Sequence, residues 1–470
     1  MTLIFAPTAL SALHLGLAVG VTSHVLLYKR ETNTSAAWIG LAWLTPILGS
    51  VLYLLLGINR VRRRAMSLKG RRASDLEGGF GGVARRDDHL AQLERAGYRI
   101  THRPVERGNR IAILRSGDEA YPVMLAAIES AQRSVVLSSY IFRADTAGSK
   151  FIEALVRAAG RGVEVRVLID GIGAGYFVSE TYSELRRARV PVARFMHSSL
   201  PWRMPFLNLR SHKKILGIDG QVAFAGGLNI GGENLVRTRP AHPVIDTHFR
   251  FEGPVVGQLM DVFANDWAFT TAEQLAGERW FPELAPCEGA DGVARVVTSG
   301  PDQDLEKIEF VILEALSCAR SAVRIMTPYF LPDDRIITGL ALAAYRGVTV
   351  DVVLPENSNH PTLDWGSRAQ IGPLLAAGCR IWTHPPPFDH SKLMTVDGVW
   401  SLVGSSNWDV RSFRLNFELD LEVYDPAIAR QVDELITAQQ GRQIREAELR
   451  ARSLAVRMRD GAARLMLPYL

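Results

Sequence analysis

The sequence predicts an α/β protein built from two pseudo-twofold-related α-β-α domains and preceded by a transmembrane helical hairpin. Three observations predict it: two uncharged apolar runs at the N-terminus, an alternation of helix and strand patterns that occurs twice, and a matched set of polar residues closing each copy. At 470 residues the chain is long enough for two or three separately cored domains. With 47% hydrophobic and 22% charged residues it has the composition of a folded protein, not of a disordered one. A net charge of +5 suits anionic lipid or nucleic acid and selects neither.

The first uncharged run extends from Met1 to Leu27 and the second from Ala36 to Ile58. At 1.5 Å per residue each can cross a hydrocarbon core of about 30 Å. Residues 1–59 are therefore read as two membrane helices, about 4–27 and 36–58, with Pro46 kinking the second. A cleaved signal peptide competes for the first run, but there is no basic leader and a second span follows at once. The short link between the runs carries Lys29 and Arg30, whereas Arg60, Arg62, Arg63, Arg64, Lys69, Arg71 and Arg72 follow the second. The asymmetry places the C-terminal side in the cytoplasm. Tyr28, Trp38, Trp43 and Tyr53 are expected at headgroup level. Residues 60–110, basic and rich in glycine, read as a cytoplasmic linker.

Beyond the linker the pattern doubles. In residues 111–275 a helical run Tyr121–Gln132 leads to a strand-like run Ser134–Phe142, an amphipathic stretch Gly148–Ala159 and a strand Val163–Ile169. In residues 296–440 the counterparts are Leu305–Ala319, Ala322–Phe330, Arg335–Tyr345 and Val348–Leu354. Strands that are apolar almost throughout, alternating with helices, predict parallel strands covered on both faces. A period near 180 residues is too long for a solenoid, so the copies are expected to pack face to face and make one cleft from two half-sites.

Each copy ends in the same constellation. The first has His212-x-Lys214, Asp219, then Gly226-Gly227-Leu228-Asn229; the second has His390-x-Lys392, Asp397, then Gly404-Ser405-Ser406-Asn407. Residues i and i+2 of a strand share a face, so each His and its Lys point the same way. Asp219-Gly220 and Asp397-Gly398 mark hairpin turns, which gives those carboxylates a structural role beside any catalytic one. Asn229 and Asn407, each at the end of a small-residue turn, are candidates to hold an anion's oxygens. A lone His-x-Lys would be an ordinary solvated strand face; two copies with the same sequel point to phosphoryl transfer without metal or other cofactor. Two Lys and two Asn stabilise charge on the phosphoryl oxygens, while one neutral His attacks phosphorus and a protonated one releases the alcohol. Each imidazole needs a carboxylate on its far nitrogen, for which Asp246 and Glu418 are the candidates.

At these residues the chain resembles the phospholipase D superfamily, whose signature is a duplicated His-x-Lys, four residues, Asp, then a Gly/Ser turn and Asn. Within it the chain is similar over its length to the bacterial cardiolipin synthases, also in Leu52–Arg60, Thr327–Asp333 and Arg411–Glu418. The resemblance implies two phospholipase D-like domains, an inner-membrane location, and transfer of a phosphatidyl group from one phosphatidylglycerol to another with release of glycerol. It also implies His212 as nucleophile, His390 as general acid, and Asp246 and Glu418 as the orienting carboxylates. Trp408, Val410 and Gly217 depart from the family pattern without touching a reactive group.

Several readings stay open at this level. The same scaffold serves a hydrolase, or a transferase using another lipid such as phosphatidylethanolamine; a nuclease gains nothing from a membrane hairpin, and a lipid-binding scaffold has no use for two such His. No nucleic-acid partner is expected, and protein partners are undetermined. Residues 441–470, with seven Arg among apolar residues, form either a basic amphipathic helix on lipid or one packed on the catalytic domain. Cys287, Cys318 and Cys379, odd in number and without nearby His, are read as buried thiols rather than disulfides or zinc ligands.

Overall fold

The computed structural model describes residues 5–29, 32–45, 47–57, 89–175, 177–197 and 209–466. The N-terminal helices form one compact unit and the α/β region another.

In the N-terminal unit a long helix, Phe5–Tyr28, is followed by Thr32–Leu44, Leu48–Leu52 and a wide turn Tyr53–Gly57. Among the described residues only Ala9–Tyr28 is both long and apolar enough to cross a membrane. The second expected span is broken instead of continuous. Proline has no N–H and is disfavoured inside a helix; Pro46 itself lies outside the described residues. Beside it the hydroxyl of Thr45 bonds back to Leu41 O at 2.6 Å, and Ile47 takes a φ of 63°. Trp38 and Tyr53 do not sit at a surface: they pack with Val21, Val25 and Ala42 between the helices, where Tyr53 OH meets His24 Nδ1 at 2.7 Å. Tyr28 and Trp43 are exposed, as an interfacial role requires. The basic residues expected at 60–72 lie outside the described residues, as does most of the linker.

Among the described residues the α/β unit holds one sheet of fifteen strands and two short parallel ladders, Phe330–Leu331 with Trp408–Asp409 and Phe388–Asp389 with Val244–Ile245. The first repeat contributes β1 (Glu106–Arg115), β2 (Ser134–Ser139), β3 (Glu164–Asp170), β4 (Val192–Phe195), β5 (Ile215–Ile218), β6 (Val222–Gly226) and β7 (Thr247–Glu252). The second contributes β8 (Gly292–Ser299), β9 (Ala322–Met326), β10 (Thr349–Pro355), β11 (Arg380–His384), β12 (Leu393–Val396), β13 (Trp400–Gly404), β14 (Glu418–Val423) and β15 (Arg442–Ile444). Their spatial order is β15-β11-β10-β9-β12-β13-β14-β8-β1-β7-β6-β5-β2-β3-β4. Read outward from the β8–β1 junction, the two halves repeat the same order, so the pseudo-twofold axis passes between these strands.

Two expectations change here. The repeats join edge to edge, through antiparallel β1 and β8, and not face to face. Only β2-β3-β4 and β9-β10-β11 are parallel; the strands nearer the axis are antiparallel. The reason is connection length. Parallel neighbours need a helical crossover, which Gly148–Gly160 and Asp334–Tyr345 supply. The three-residue links Asp219-Gly220-Gln221 and Asp397-Gly398-Val399 leave room only for hairpins, and both aspartates adopt positive φ, 54° and 55°.

Both faces of the sheet are covered. In the first repeat Leu216, Ile218 and Phe224 pack under Ser116–Ser130 and Gly148–Gly160 with Phe151, Leu155 and Val167. Gly217, between them, faces the other way; a Cβ there would come within 2.5 Å of the sulfur of Met260, on helix Val255–Thr271. Met260 thus fills the space that the glycine leaves. The second repeat packs Ile308, Ile312, Ile325, Leu340 and Val352 in the same manner. Of the cysteines, Cys379 is buried, while Cys287 and Cys318 are partly exposed.

Candidate active site

The two His-x-Lys segments lie just before β5 and β12, near the pseudo-twofold axis, and each is stitched to the other repeat. His212 N donates to Phe417 O at 2.9 Å and Phe417 N to Arg210 O at 2.8 Å. Across the axis, His390 N donates to Ile245 O at 2.7 Å, with Phe388 and Asp389 paired to Val244 and Ile245. The orienting carboxylates immediately follow these partner segments, so the pairing is crossed. Glu418 of the second repeat meets His212 of the first, Oε2 to Nδ1 at 3.1 Å. Asp246 of the first repeat meets His390 of the second, Oδ2 to Nδ1 at 2.8 Å. Each half-site is completed by the other half of the chain. The imidazole centroids are 6.5 Å apart, their planes at 82°.

The imidazoles are not equivalent. His212 Nδ1 faces two acceptors, Glu418 Oε2 and the carbonyl oxygen of Ser405 at 3.0 Å, so it carries the proton and leaves the Nε2 lone pair available. His390 Nδ1 lies between an acceptor, Asp246, and a donor, Lys392 Nζ at 2.7 Å. Its neighbours do not hold it to one tautomer.

Lys214 and Lys392 are buried, each turned back on the carbonyl of its own His. Burial is the main cause that lowers Lys214 to about 7 and Lys392 to about 8; carboxylates oppose it at both, and Lys392 lowers Lys214 further. Burial likewise takes His212 below 6.5 and His390 well below it; Lys214 and Lys392 add to both shifts and Glu418 opposes them. Asp246 is raised by burial, against the pull of Lys392. Glu418 is lowered, because the pull of His212 and Lys214 outweighs the opposing effect of burial. At neutral pH the imidazoles are therefore uncharged and aimed at one space, with lysines poised to become fully cationic when an anion arrives.

Of the predicted residues, the structure brings together His212, Lys214, His390, Lys392, Asp246 and Glu418. It does not bring Asp219 and Asp397 to them. Each lies past the far end of the short strand that follows its His-x-Lys, where it caps the start of a neighbouring strand. Asp219 accepts the N–H groups of Gln132, Arg133 and Ser134. Asp397 accepts those of Arg320, Ser321 and Ala322 and also meets His89 Nε2 at 2.7 Å. Both are braces of the fold, so of the structural and catalytic roles open to them in the sequence the structure supports the structural one. Asn229 spends its Oδ1 on Ile141 N at 3.2 Å. Asn407 is buried, and its Oδ1 has no hydrogen-bond partner among the described residues. Arg414 is bound to Asp333 and Glu306.

Three groups escaped the sequence reading. Ser405 Oγ donates to Glu418 Oε2 at 2.5 Å while its carbonyl holds His212. Asn416 Nδ2 donates to Glu418 Oε1 at 3.1 Å. Arg115 reaches Asp389, Ser391 and Thr247 and braces the segment under His390. None has a signature beyond ordinary polar residues near a motif, though Ser405 and Asn416 stand within it. Tyr140 and Tyr329 occupy matching places: their rings lie 4.8 Å from His212 and 6.0 Å from His390. From Tyr329 a cavity of about 380 Å³ extends between Leu354, Leu363, Ile371 and Leu449. Among the described residues no cluster of His, Cys, Asp and Glu has the arrangement of a metal site.

Comparison with known proteins agrees with this geometry. A family profile described as "Cardiolipin synthase, PLD-like domain" matches residues 124–267 and 312–439, one match per repeat. Residues 16–57 match a phospholipase D-nuclease N-terminal profile. The cardiolipin synthase of Geobacillus kaustophilus is 32% identical over 95% of this chain and 91% of its own length. The major cardiolipin synthase of Bacillus subtilis is 30% identical over 95% of this chain and 96% of its own. The crystal structure of phosphatidylserine synthase from Haemophilus influenzae superposes with a TM-score of 0.62, covering 80% of this chain and all of that one at 15% identity, which shows a shared fold. The chain belongs to the cardiolipin synthase family of phospholipase D-like proteins.

Proposed function

We propose that the chain makes cardiolipin from two molecules of phosphatidylglycerol. Nε2 of His212 attacks the phosphorus of the first, the bond to glycerol breaks, and His390, which takes up a proton as the anionic phosphodiester enters, gives that proton to the leaving oxygen. His390, now neutral, takes the proton from a hydroxyl of the second phosphatidylglycerol. That oxygen attacks phosphorus, and His212 is released. Glycerol and cardiolipin are the products.

The observation that carries this reading is the pair of imidazoles 6.5 Å apart, each with Nδ1 on a carboxylate of the opposite repeat. A phosphorus about 3 Å from each Nε2 fits between them. Lys214, Lys392, Asn229 and Asn407 are the groups proposed to hold the phosphoryl oxygens. The names and full-length coverage of the relatives support the lipid substrate. The test is incubation of the purified, detergent-solubilised chain with labelled phosphatidylglycerol. Cardiolipin with equimolar glycerol is expected; phosphatidic acid as sole product would make it a hydrolase, and no product unless labelled phosphatidylethanolamine is supplied in a parallel incubation would change the donor.

The chain is membrane-associated in this reading, with two crossings and the catalytic unit in the cytoplasm, as the basic residues after position 59 favour. A protease-accessibility map of sealed vesicles tests it; cleavage of residues 60–110 from the outer side of right-side-out vesicles would reverse the orientation. The helix Leu454–Met466 reconciles the two readings of the tail. It packs on helix Pro361–Gln370 with Asp460 and Ala463 buried and Arg459 stacked on Trp365 at 4.4 Å. Leu454, Met458 and Leu465, exposed and within one arc of the other side, are proposed to rest on anionic lipid beside Arg457 and Arg464.

A further inference from the structure

The pseudo-twofold symmetry that builds the site is broken one layer behind it. On antiparallel β6 and β7, Gly226 is opposite His248; on β13 and β14, Gly404 is opposite Asp420. His248 and Asp420 thus occupy equivalent places, each two residues beyond an orienting carboxylate and each buried under a small-residue turn. Their connections differ. Asp420 Oδ1 accepts the backbone N–H of Ser405 at 2.9 Å and of Ser406 at 3.1 Å. His248 Nδ1 has no hydrogen-bond partner among the described residues, although a Cβ on Gly226 would lie only 2.8 Å from it.

The braced turn is the one that touches an imidazole. Ser405 presents its carbonyl to His212 Nδ1 and its hydroxyl to Glu418, and Leu419 N closes the loop by donating to that hydroxyl at 2.9 Å. In the first repeat Gly227 stands where Ser405 does. It has no hydroxyl to give, and the Asp246 carboxylate occupies the space a Cβ would take, 2.1 Å away. No carbonyl of that turn reaches His390, whose Nδ1 is shared between Asp246 and Lys392.

We propose that Asp420 is a positioning residue that makes His212, and not His390, the attacking imidazole. By fixing the backbone of Ser405 and Ser406 it holds the carbonyl and hydroxyl that keep the proton on His212 Nδ1, and His248 gives His390 no such hold. Burial, then repulsion from Glu418, raises Asp420 to about 7, and burial lowers His248 to about 4. Oδ1 accepts hydrogen bonds whether or not the other oxygen is protonated, so the brace survives titration of Asp420; a neutral His248 adds no charge to its half-site. Two halves of common origin are in this way given different duties by a residue that touches neither substrate nor imidazole.

The inference rests on the two-imidazole reading, and the experiment separates the two. The full-length enzyme is quenched during turnover of labelled phosphatidylglycerol, and the phosphohistidine is assigned by peptide mapping. In the parent the label is expected on His212. Asp420→Ala is expected to lower kcat about tenfold with little change in KM, with label on His212 falling in step. Asp420→Asn, which keeps volume and acceptor, is expected to restore both. His248→Asp, which gives the first half the missing brace, is expected to place part of the label on His390, and it serves independently should the Ala variant fail to fold. Parental kcat in Asp420→Ala, an Asn variant as impaired as Ala, or no label on His390 in His248→Asp would each overturn the role of Asp420. A parent enzyme that makes cardiolipin without any phosphohistidine would overturn the two-imidazole reading instead.

Discussion

In the proposed mechanism two side chains of one type do opposite work because their neighbours differ. His212 is bounded by acceptors only, a carbonyl and a carboxylate, whereas His390 shares one nitrogen between a carboxylate and a lysine. Glu418→Gln should therefore be more damaging than the loss of one hydrogen bond. An amide can turn its NH₂ toward Nδ1 and move the proton to Nε2, and kcat is expected to fall by about 10³–10⁴. A quenched-flow assay of phosphoenzyme formation would check this. The lysines set the pH profile. With Lys214 lowered to about 7 and Lys392 to about 8, their positive charge is present below those values and lost above them, so kcat/KM should decline as pH rises through 7–8. The attacking imidazole works in the opposite sense: it must be neutral, and a lowered His212 keeps it so down to pH values below 6.5. A kcat/KM profile still rising above pH 8 would contradict the assignment of the lysines. The residues that cluster at the candidate site were legible in the sequence because duplication marks them twice. Ser405, Asn416 and Asp420 were not, since their importance lies in which backbone atoms they meet.

At the scale of elements, the aspartate of each signature is a brace. Asp219 and Asp397 each accept three backbone N–H groups at the start of a neighbouring strand. Replacing either by Ala leaves those donors unpaired at a partly exposed edge and is expected to cost about 1–3 kcal/mol of stability. Denaturant unfolding should show the loss, while KM for lipid in the surviving folded enzyme should stay near the parental value. The hairpins around these aspartates were readable from Asp-Gly pairs, and the crossover helices from their apolar periodicity. The broken second membrane helix was half readable: Pro46 announced a kink, but the interruption also depends on the Thr45 hydroxyl and the backbone of Ile47. The C-terminal helix carries a further expectation. Leu454→Ser, Met458→Ser and Leu465→Ser together should slow turnover severalfold on phosphatidylglycerol vesicles and leave it unchanged in mixed micelles, where no extended surface is needed. Equal rates on vesicles would remove the lipid contact.

At the scale of the whole molecule, crossing of the orienting carboxylates makes the two repeats interdependent. Residues up to 275 lack the partner of His212, and residues from 296 onward lack the partner of His390. Each half expressed alone should be inactive, and co-expression should restore activity only to the extent that β1 and β8 re-pair. The sequence announced two domains and one cleft, because a duplicated motif implies a shared site. It did not announce that one continuous sheet joins them, since a strand's edge partner is chosen by packing that no local pattern records. The central claim is that paired imidazoles from the two repeats act on one phosphorus with His212 as attacker. It is tested most directly by quenching the full-length enzyme during turnover of labelled phosphatidylglycerol and mapping the phosphorylated residue beside the lipid product. The account predicts label on His212 together with cardiolipin and glycerol, and neither in His212→Ala; near-parental cardiolipin synthesis by His212→Ala would contradict it.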